Sequence, residues 1–198
     1  MTNDIPLNPT SVGLGLVLVC WMCFGLAFVI RQRPSKSVTR VRRPAAFGGL
    51  ALQALGYGAV WSLRRLQFTP IVPMSTLLET LTSMVAFLAA ATSVWMTITA
   101  IRTLGKQWAI AARVVEGHEL VTSGPFRFVR HPIYTAMFGL LFATGLMVSH
   151  PYGLLAGAFL FWMGTLVRIR TEEGLLRETF GEAYDQYARR VPGIFGFD

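Results

Sequence analysis

"PIYTAMFGLLFATGLMVSHPYGLLAGAFLFWMGTLVR", residues 132–168, contains two apolar runs separated by the short break SHPYG (149–153). A bilayer core about 30 Å thick needs roughly 20 apolar residues per spanning helix. Each run approaches that length, and the break leaves room only for a tight antiparallel turn. Pro132 opens the first run, a position where its missing N–H costs no helical bond. Small residues recur on both sides of the turn: Gly139, Ala143 and Gly145 before it, Ala156, Gly157 and Gly164 after it. Such residues let membrane helices approach closely. The stretch predicts a helical hairpin in a membrane, with Pro132 and Arg168 at the same end.

Three more segments, at about 11–30, 45–62 and 76–101, have the length and apolar character of spans. The chain of 198 residues is 53% hydrophobic and only 14% charged, and its mean hydropathy is +0.50. Soluble domains carry about 25% charged residues. The fold class expected is therefore an all-α integral membrane protein with about five transmembrane helices. A cytoplasmic loop precedes the C-terminal hairpin and an amphipathic helix follows it. Residues 1–104 form a three-helix region and residues 105–198 carry the loop, hairpin and last helix, all in one integrated membrane domain. No basic region precedes the first segment and no small-residue cleavage site closes it, so it reads as a retained span.

The formal charge is +8, and its distribution points to topology. Arg31, Arg33, Lys36, Arg40, Arg42 and Arg43 form an acid-free loop after the first helix, and Arg102, Lys106, Arg113, Arg127 and Arg130 follow the third. Only Arg64 and Arg65 separate the second and third helices, and the N-terminal tail has no Lys or Arg. The positive-inside rule then places the N-terminus outside and the C-terminus in the cytoplasm. Contact with anionic lipid explains the basic loop better than nucleic acid does. Cys20 and Cys23 lie inside an apolar helix with no further ligands nearby, so they read as small apolar side chains and no metal site is expected. Gly13-Leu14-Gly15 lacks the preceding strand and third glycine of a dinucleotide fingerprint. The first two helices carry no recognisable chemistry. Glu79 lies near the outer end of the third, where a carboxylate reaches water.

Polar chemistry gathers around the hairpin's open end. Residues 105–131, "GKQWAIAARVVEGHELVTSGPFRFVRH", read as an ordered loop whose length suggests function. Arg127, Arg130 and His131 stand just before a helix N-terminus, where unpaired N–H groups and arginine forks favour an anion. Snorkelling to headgroups would also account for the arginines, but topology needs no histidine. At the other strand of the hairpin, "RIRTEE" puts Arg168 and Glu172 four residues apart on one face, with Glu173 about 100° around. A surface ion pair and a partly buried site both fit that pattern. Beyond it, Leu176, Phe180, Tyr184, Tyr187 and Val191 make one apolar stripe on a predicted helix. That helix either lies on the membrane surface or covers the loop as a lid, with Tyr184 and Tyr187 at its rim.

"LGKQWAI…EGHELVTSGPFRFVRHPIYTA" followed by "RIRTEEGLLRETFGEAYDQYARRVPG" resembles the isoprenylcysteine carboxyl methyltransferase family, within the membrane methyltransferases that include phospholipid methyltransferases. The resemblance covers roughly residues 100 to 193. It implies S-adenosylmethionine as methyl donor, bound by the C-terminal half without a dinucleotide-binding domain. By position it implies that Lys106, Gln107, His118, Arg130, His131, Pro132 and Tyr134 line the cofactor pocket. Leu120, Val121 and Val129 are then walls for adenosine, and Glu173, Tyr184 and Tyr187 complete the pocket. The family's Arg and Glu near the end of the last membrane helix fall on Arg168 and Glu172, which makes them the expected catalytic pair. The implied acceptor is lipophilic: the carboxylate of an isoprenylcysteine or a similar prenyl-thioether compound entering from the bilayer. A carboxylate needs orientation more than a base, and Arg168 can supply a two-pronged hydrogen bond. Phe126 stands where the family often has tyrosine, and "VPGIFGFD" replaces a more basic finish. A phospholipid acceptor, a nicotinamide-dependent membrane reductase and a non-enzymatic scaffold are the alternatives. A scaffold, however, gives no reason to gather Arg130, His131, Arg168 and Glu172 at one end of a hairpin.

Overall fold

The computed structural model describes residues 8–31, 45–66, 69–105 and 119–194. Helix α1 spans Pro9–Arg31, α2 Ala45–Ser62, α3 Thr76–Leu104, α4 Pro132–Val148, α5 Pro151–Phe180 and α6 Glu182–Ala188, with a 3-10 turn at Gly124–Arg127. All five predicted apolar segments are helical, and the protein is an all-α integral membrane protein. Among the described residues, α1, α3 and α5 are long and apolar enough to cross a membrane, and α4 is a shorter apolar helix. Met22, Val29, Leu77, Trp95, Leu155 and Phe159 project outward from these helices, as expected of side chains whose solvent is lipid.

Local signals fix the helix ends. Ser75 caps α3 by accepting from the Leu78 N–H at 3.4 Å. Pro132 and Pro151 occupy the first positions of α4 and α5. Gly105 and Gly181 end α3 and α5 at φ of 53° and 52°, a backbone region in which glycine carries no side-chain penalty. At Gly181 the structure departs from the sequence-based expectation. The apolar run of the hairpin stops near Arg168, but the helix continues through "TEEGLLRETF" to Phe180. Leu, Arg and Glu favour helix whether or not the segment is greasy. The predicted single amphipathic helix is thus divided: Leu176 and Phe180 belong to α5, while Tyr184 and Tyr187 belong to α6.

The hairpin α4–α5 is the centre of the packing. Helix α3 lies along α4, α2 lies along α5, and α1 covers α3 and α4. One core cluster joins Val17, Cys20 and Phe24 to Ala86, Ala90, Leu140, Ala143 and Met147. A second joins Val60, Leu141, Leu154 and Phe161. Trp21 donates to Thr144 at 2.9 Å, and the Tyr57 hydroxyl donates to the Met137 carbonyl at 2.7 Å. The closest helix pair is α2 with α5. A Cβ on Gly56 would lie 2.7 Å from the Gly157 carbonyl oxygen, and one on Gly164 would lie 2.8 Å from the Gln53 nitrogen. Small residues bring these backbones together, as membrane helix pairs require.

The turn end of the bundle is tied by charge. Arg65 is buried, and its guanidinium donates to the carbonyls of Leu146 and Met147 at 3.0 Å and to that of Ser149. It also donates to the Thr69 carbonyl at 3.0 Å. These are orphan acceptors at the C-terminus of α4, a position that favours a cation. Glu79 serves α1 in the opposite sense, accepting from the Thr10 N–H at 3.1 Å and its hydroxyl at 2.7 Å.

Candidate active site

Glu173 is the pivot of the hairpin's open end. It is buried on α5, and its Oε1 accepts from Arg130 Nε at 3.0 Å and lies 3.2 Å from His131 Nε2. Its Oε2 meets Arg177 Nη2 at 3.3 Å. A buried carboxylate is stable only when its lone pairs are matched in this way. Arg130 extends the cluster to the chain beyond α6: Nη1 donates to the carbonyls of Ala188 and Val191 at 2.8 and 2.5 Å. The backbone N–H groups of Arg130 and His131 donate to Pro192 and Gly193 at 2.8 and 3.2 Å. The run Arg130–His131, which the sequence suggested as a direct anion contact, is therefore also the clasp that holds the C-terminal segment over α4.

Glu172 is the neighbouring centre, one helical step around α5. Tyr134 donates its hydroxyl to Glu172 Oε1. Arg168 Nη2 lies 3.8 Å from the same oxygen, and His131 Nδ1 lies 3.7 Å from Oε2. The Arg168 guanidinium sits 4.8 Å above the Tyr134 ring, and that ring stacks on His131 at 5.7 Å. With a relative exposure of 8%, Arg168 is buried and is not part of an exposed surface ion pair. Its Nη1 donates to Gln53 Oε1 on α2 at 3.0 Å. His131, facing both glutamates, links the two centres.

A cleft opens on the Glu173 side, with about 410 Å³ of empty space that includes open solvent. Arg130 and His131 give it polar groups, while Leu104, Leu120, Val121, Phe126 and Leu176 give it apolar walls. Tyr184 and Tyr187 close it from α6. Burial pushes the Tyr187 hydroxyl up to about 12, with Arg130 opposing and Glu173 adding. It remains a neutral donor to the Phe126 carbonyl at 2.6 Å. Tyr184 is fully buried, and its hydroxyl has no hydrogen-bond partner among the described residues. Burial and then the nearby Glu173 carboxylate push that hydroxyl well above its ordinary value, so it stays a neutral donor on the pocket wall.

Of the residues singled out in the sequence, Leu120, Val121, Arg130, His131, Tyr184 and Tyr187 line this cleft. Tyr134, Arg168 and Glu172 form the adjoining cluster, and Glu173 braces both. Pro132 is buried as the first residue of α4. Val129 is half-buried just outside the lining. Lys106, Gln107 and His118 lie outside the described residues. Sequence reasoning passed over Gln53, whose only signal is a lone amide in the apolar segment of α2. It also passed over Arg177, which pairs with Glu173 and Asp185.

The model of the isoprenylcysteine carboxyl methyltransferase (ICMT) family matches residues 78–178, half of the chain. Protein-S-isoprenylcysteine O-methyltransferase B of Arabidopsis thaliana is 38% identical over 48% of this chain and 49% of its own length. The corresponding methyltransferase of Schizosaccharomyces pombe is 34% identical over 42% of this chain and 35% of its own. The nickel-cobalt-cadmium resistance protein NccN of Alcaligenes xylosoxydans xylosoxydans is 36% identical over 54% of this chain and 50% of its own. This chain thus aligns with half or less of the length of these relatives. The structure of the eukaryotic intramembrane Ras methyltransferase ICMT superposes with a TM-score of 0.60 over 98% of this chain and 68% of that one, at 20% identity, so the two share a fold. The matched segment contains α4, most of α5 and the paired glutamates, and the chain belongs to the isoprenylcysteine carboxyl methyltransferase family.

Proposed function

We propose that this protein transfers a methyl group from S-adenosylmethionine to the carboxylate of an isoprenylcysteine or a similar prenyl-thioether compound, at the cytoplasmic face of its membrane. The observation that carries the reading is the buried Arg168 beside Glu172 and Tyr134, joined through His131 to a half-apolar cleft. The cleft fits the donor by the chemistry of its walls: aliphatic and aromatic side chains for an adenine, and the Tyr184 hydroxyl and His131 for polar atoms. When bound, S-adenosylmethionine supplies an electrophilic methyl group.

The chain's own residues do the positioning. A carboxylate acceptor is already nucleophilic at neutral pH, so the need is for alignment. Arg168 offers a planar fork of N–H donors to hold it. Glu172 steadies that fork from one side while its other oxygen faces His131. Arg130 and Glu173 fasten the loop, α5 and the C-terminal segment around the cleft. The apolar outer faces of the helices suit an acceptor that arrives through lipid.

Purified protein in detergent, given methyl-labelled S-adenosylmethionine and a farnesylated cysteine analogue, should yield label that mild base releases as methanol. Only a methyl ester releases it so. Donor binding without base-labile product would move the acceptor to another lipid. Folded protein that binds a nicotinamide dinucleotide, or neither cofactor, would overturn the methyltransferase reading. Reporter fusions should place the N-terminus outside and the C-terminus in the cytoplasm, as the basic loops require.

A further inference from the structure

Helix α2 reaches Arg168 through the side chain of Gln53. This residue is 1% exposed and sits where α2 and α5 touch backbone to backbone. Its Nε2 donates to Thr165 Oγ1 at 2.8 Å. That hydroxyl has one proton, which it gives to the Phe161 carbonyl at 2.8 Å, so it can only accept from Gln53. A guanidinium can only donate. The amide orientation is therefore fixed from both sides, with Oε1 toward Arg168 Nη1 at 3.0 Å. One turn earlier, a Cβ on Gly49 would lie 2.6 Å from Arg168 Cγ, so the absence of a side chain there makes room for the arginine.

We propose that Gln53 is the positioning residue for Arg168, holding the guanidinium in place without neutralising it and so reserving its charge for an anionic acceptor. The chemistry of the pair supports this division. Arg168 already has one carboxylate near it, Glu172 at 3.8 Å, and that carboxylate is shared with Tyr134 and His131. A second carboxylate at position 53 would hold the guanidinium but quench its charge, and it would lose the donor to Thr165 Oγ1. An apolar residue would keep the charge but leave a buried N–H unmatched. The amide alone does both tasks. The selection extends to acceptor class: a carboxylate gains from a guanidinium that Gln53 holds without adding negative charge, whereas a cationic or amine headgroup is repelled by it. The inference rests on the carboxylate-acceptor reading above.

The test uses the full chain in detergent and the farnesylated cysteine analogue, comparing wild type, Gln53→Ala and Gln53→Glu. Five quantities are measured: kcat, KM, equilibrium binding of the analogue, binding of labelled S-adenosylmethionine, and Tm. Gln53→Ala should lower kcat by about 10–100-fold through loss of alignment, with donor affinity within about threefold of wild type. Gln53→Glu loses the donor to Thr165 and should melt at or below the wild-type Tm, while its folded fraction should bind the analogue about tenfold or more weakly because the charge is quenched. A carboxylate variant that binds and turns over the analogue within about twofold of wild type would overturn the proposal. So would activity losses that only track the folded fraction in both variants. If Gln53→Ala does not fold, the carboxylate variant decides alone. Wild type that makes no base-labile ester would instead overturn the acceptor reading, and this assignment with it.

Discussion

Arg168 and Glu173 stand five residues, about 1.4 turns, apart on α5, both buried, and they have different partners. Arg168 faces Gln53, Tyr134 and Glu172; Glu173 faces Arg130, His131 and Arg177. Their substitutions should therefore separate the two halves of a two-substrate reaction. Removing an oriented charge from a buried site costs about 3–5 kcal/mol, or two to three orders of magnitude in rate. Arg168→Ala should lose turnover on that scale, while donor affinity measured with labelled S-adenosylmethionine stays within a few-fold. An equally large loss of donor binding would show that the division of roles is wrong. Glu173→Gln keeps the shape but strands three cationic or donating neighbours. It should weaken donor binding by about tenfold or more and expose the C-terminal segment to limited proteolysis, because Arg130 would lose the anchor that holds it against Ala188 and Val191.

Among the elements, α2 shows why part of the site could not be read from the chain. The hairpin and the convergence of Arg130–His131 with Arg168–Glu172 are legible because they depend on local spacing and one short turn, whereas the spacing of Tyr184 and Tyr187 fits a surface helix and a lid alike. Gln53 is not legible, because its role depends on which helix packs beside α5, and apolar segments in a membrane carry no periodic signal for that choice. Only the glycines hint at it, since Gly49, Gly56, Gly157 and Gly164 are the points of backbone contact. The continuation of α5 to Phe180 was missed for a related reason: the end of hydrophobicity was taken for the end of the helix. These contacts make a graded prediction. A Cβ on Gly157 would come within 2.6 Å of Val60 and 2.7 Å of the Gly56 carbonyl oxygen, whereas one on Gly58 would meet nothing within 4 Å. Gly157→Ala should destabilise by about 1–3 kcal/mol through overpacking, and Gly58→Ala should leave Tm unchanged or slightly raised, since alanine is the better helix former. Equal effects at the two positions in a thermal melt would rule out the α2–α5 contact as described.

Across the whole molecule, charge ties helix ends together at one end of the hairpin and gathers around the cleft at the other. Near the α4–α5 turn, Arg65 binds three carbonyls at the end of α4 together with that of Thr69, and Glu79 closes the start of α1. At the open end, Arg130, Arg168, Glu172 and Glu173 surround the cleft and its neighbouring cluster. The positive-inside reading treats Arg65 as a minor charge on the wrong side; its burial explains why an arginine is kept there. The separation predicts that the two properties respond independently. Arg65→Ala strands buried acceptors, at a net cost of about 2–3 kcal/mol once water reaches some of them. For a chain of this size that corresponds to a Tm roughly 5–10 °C lower. Well below the new Tm, kcat/KM for the prenylcysteine analogue should stay within about twofold of wild type, because no Arg65 contact reaches the open end. Arg65→Lys, with a point charge in place of a fork, should fall between the two in Tm. A large fall in kcat/KM with little change in Tm would mean that the turn end is coupled to the site, and that the hairpin moves as a unit during the reaction.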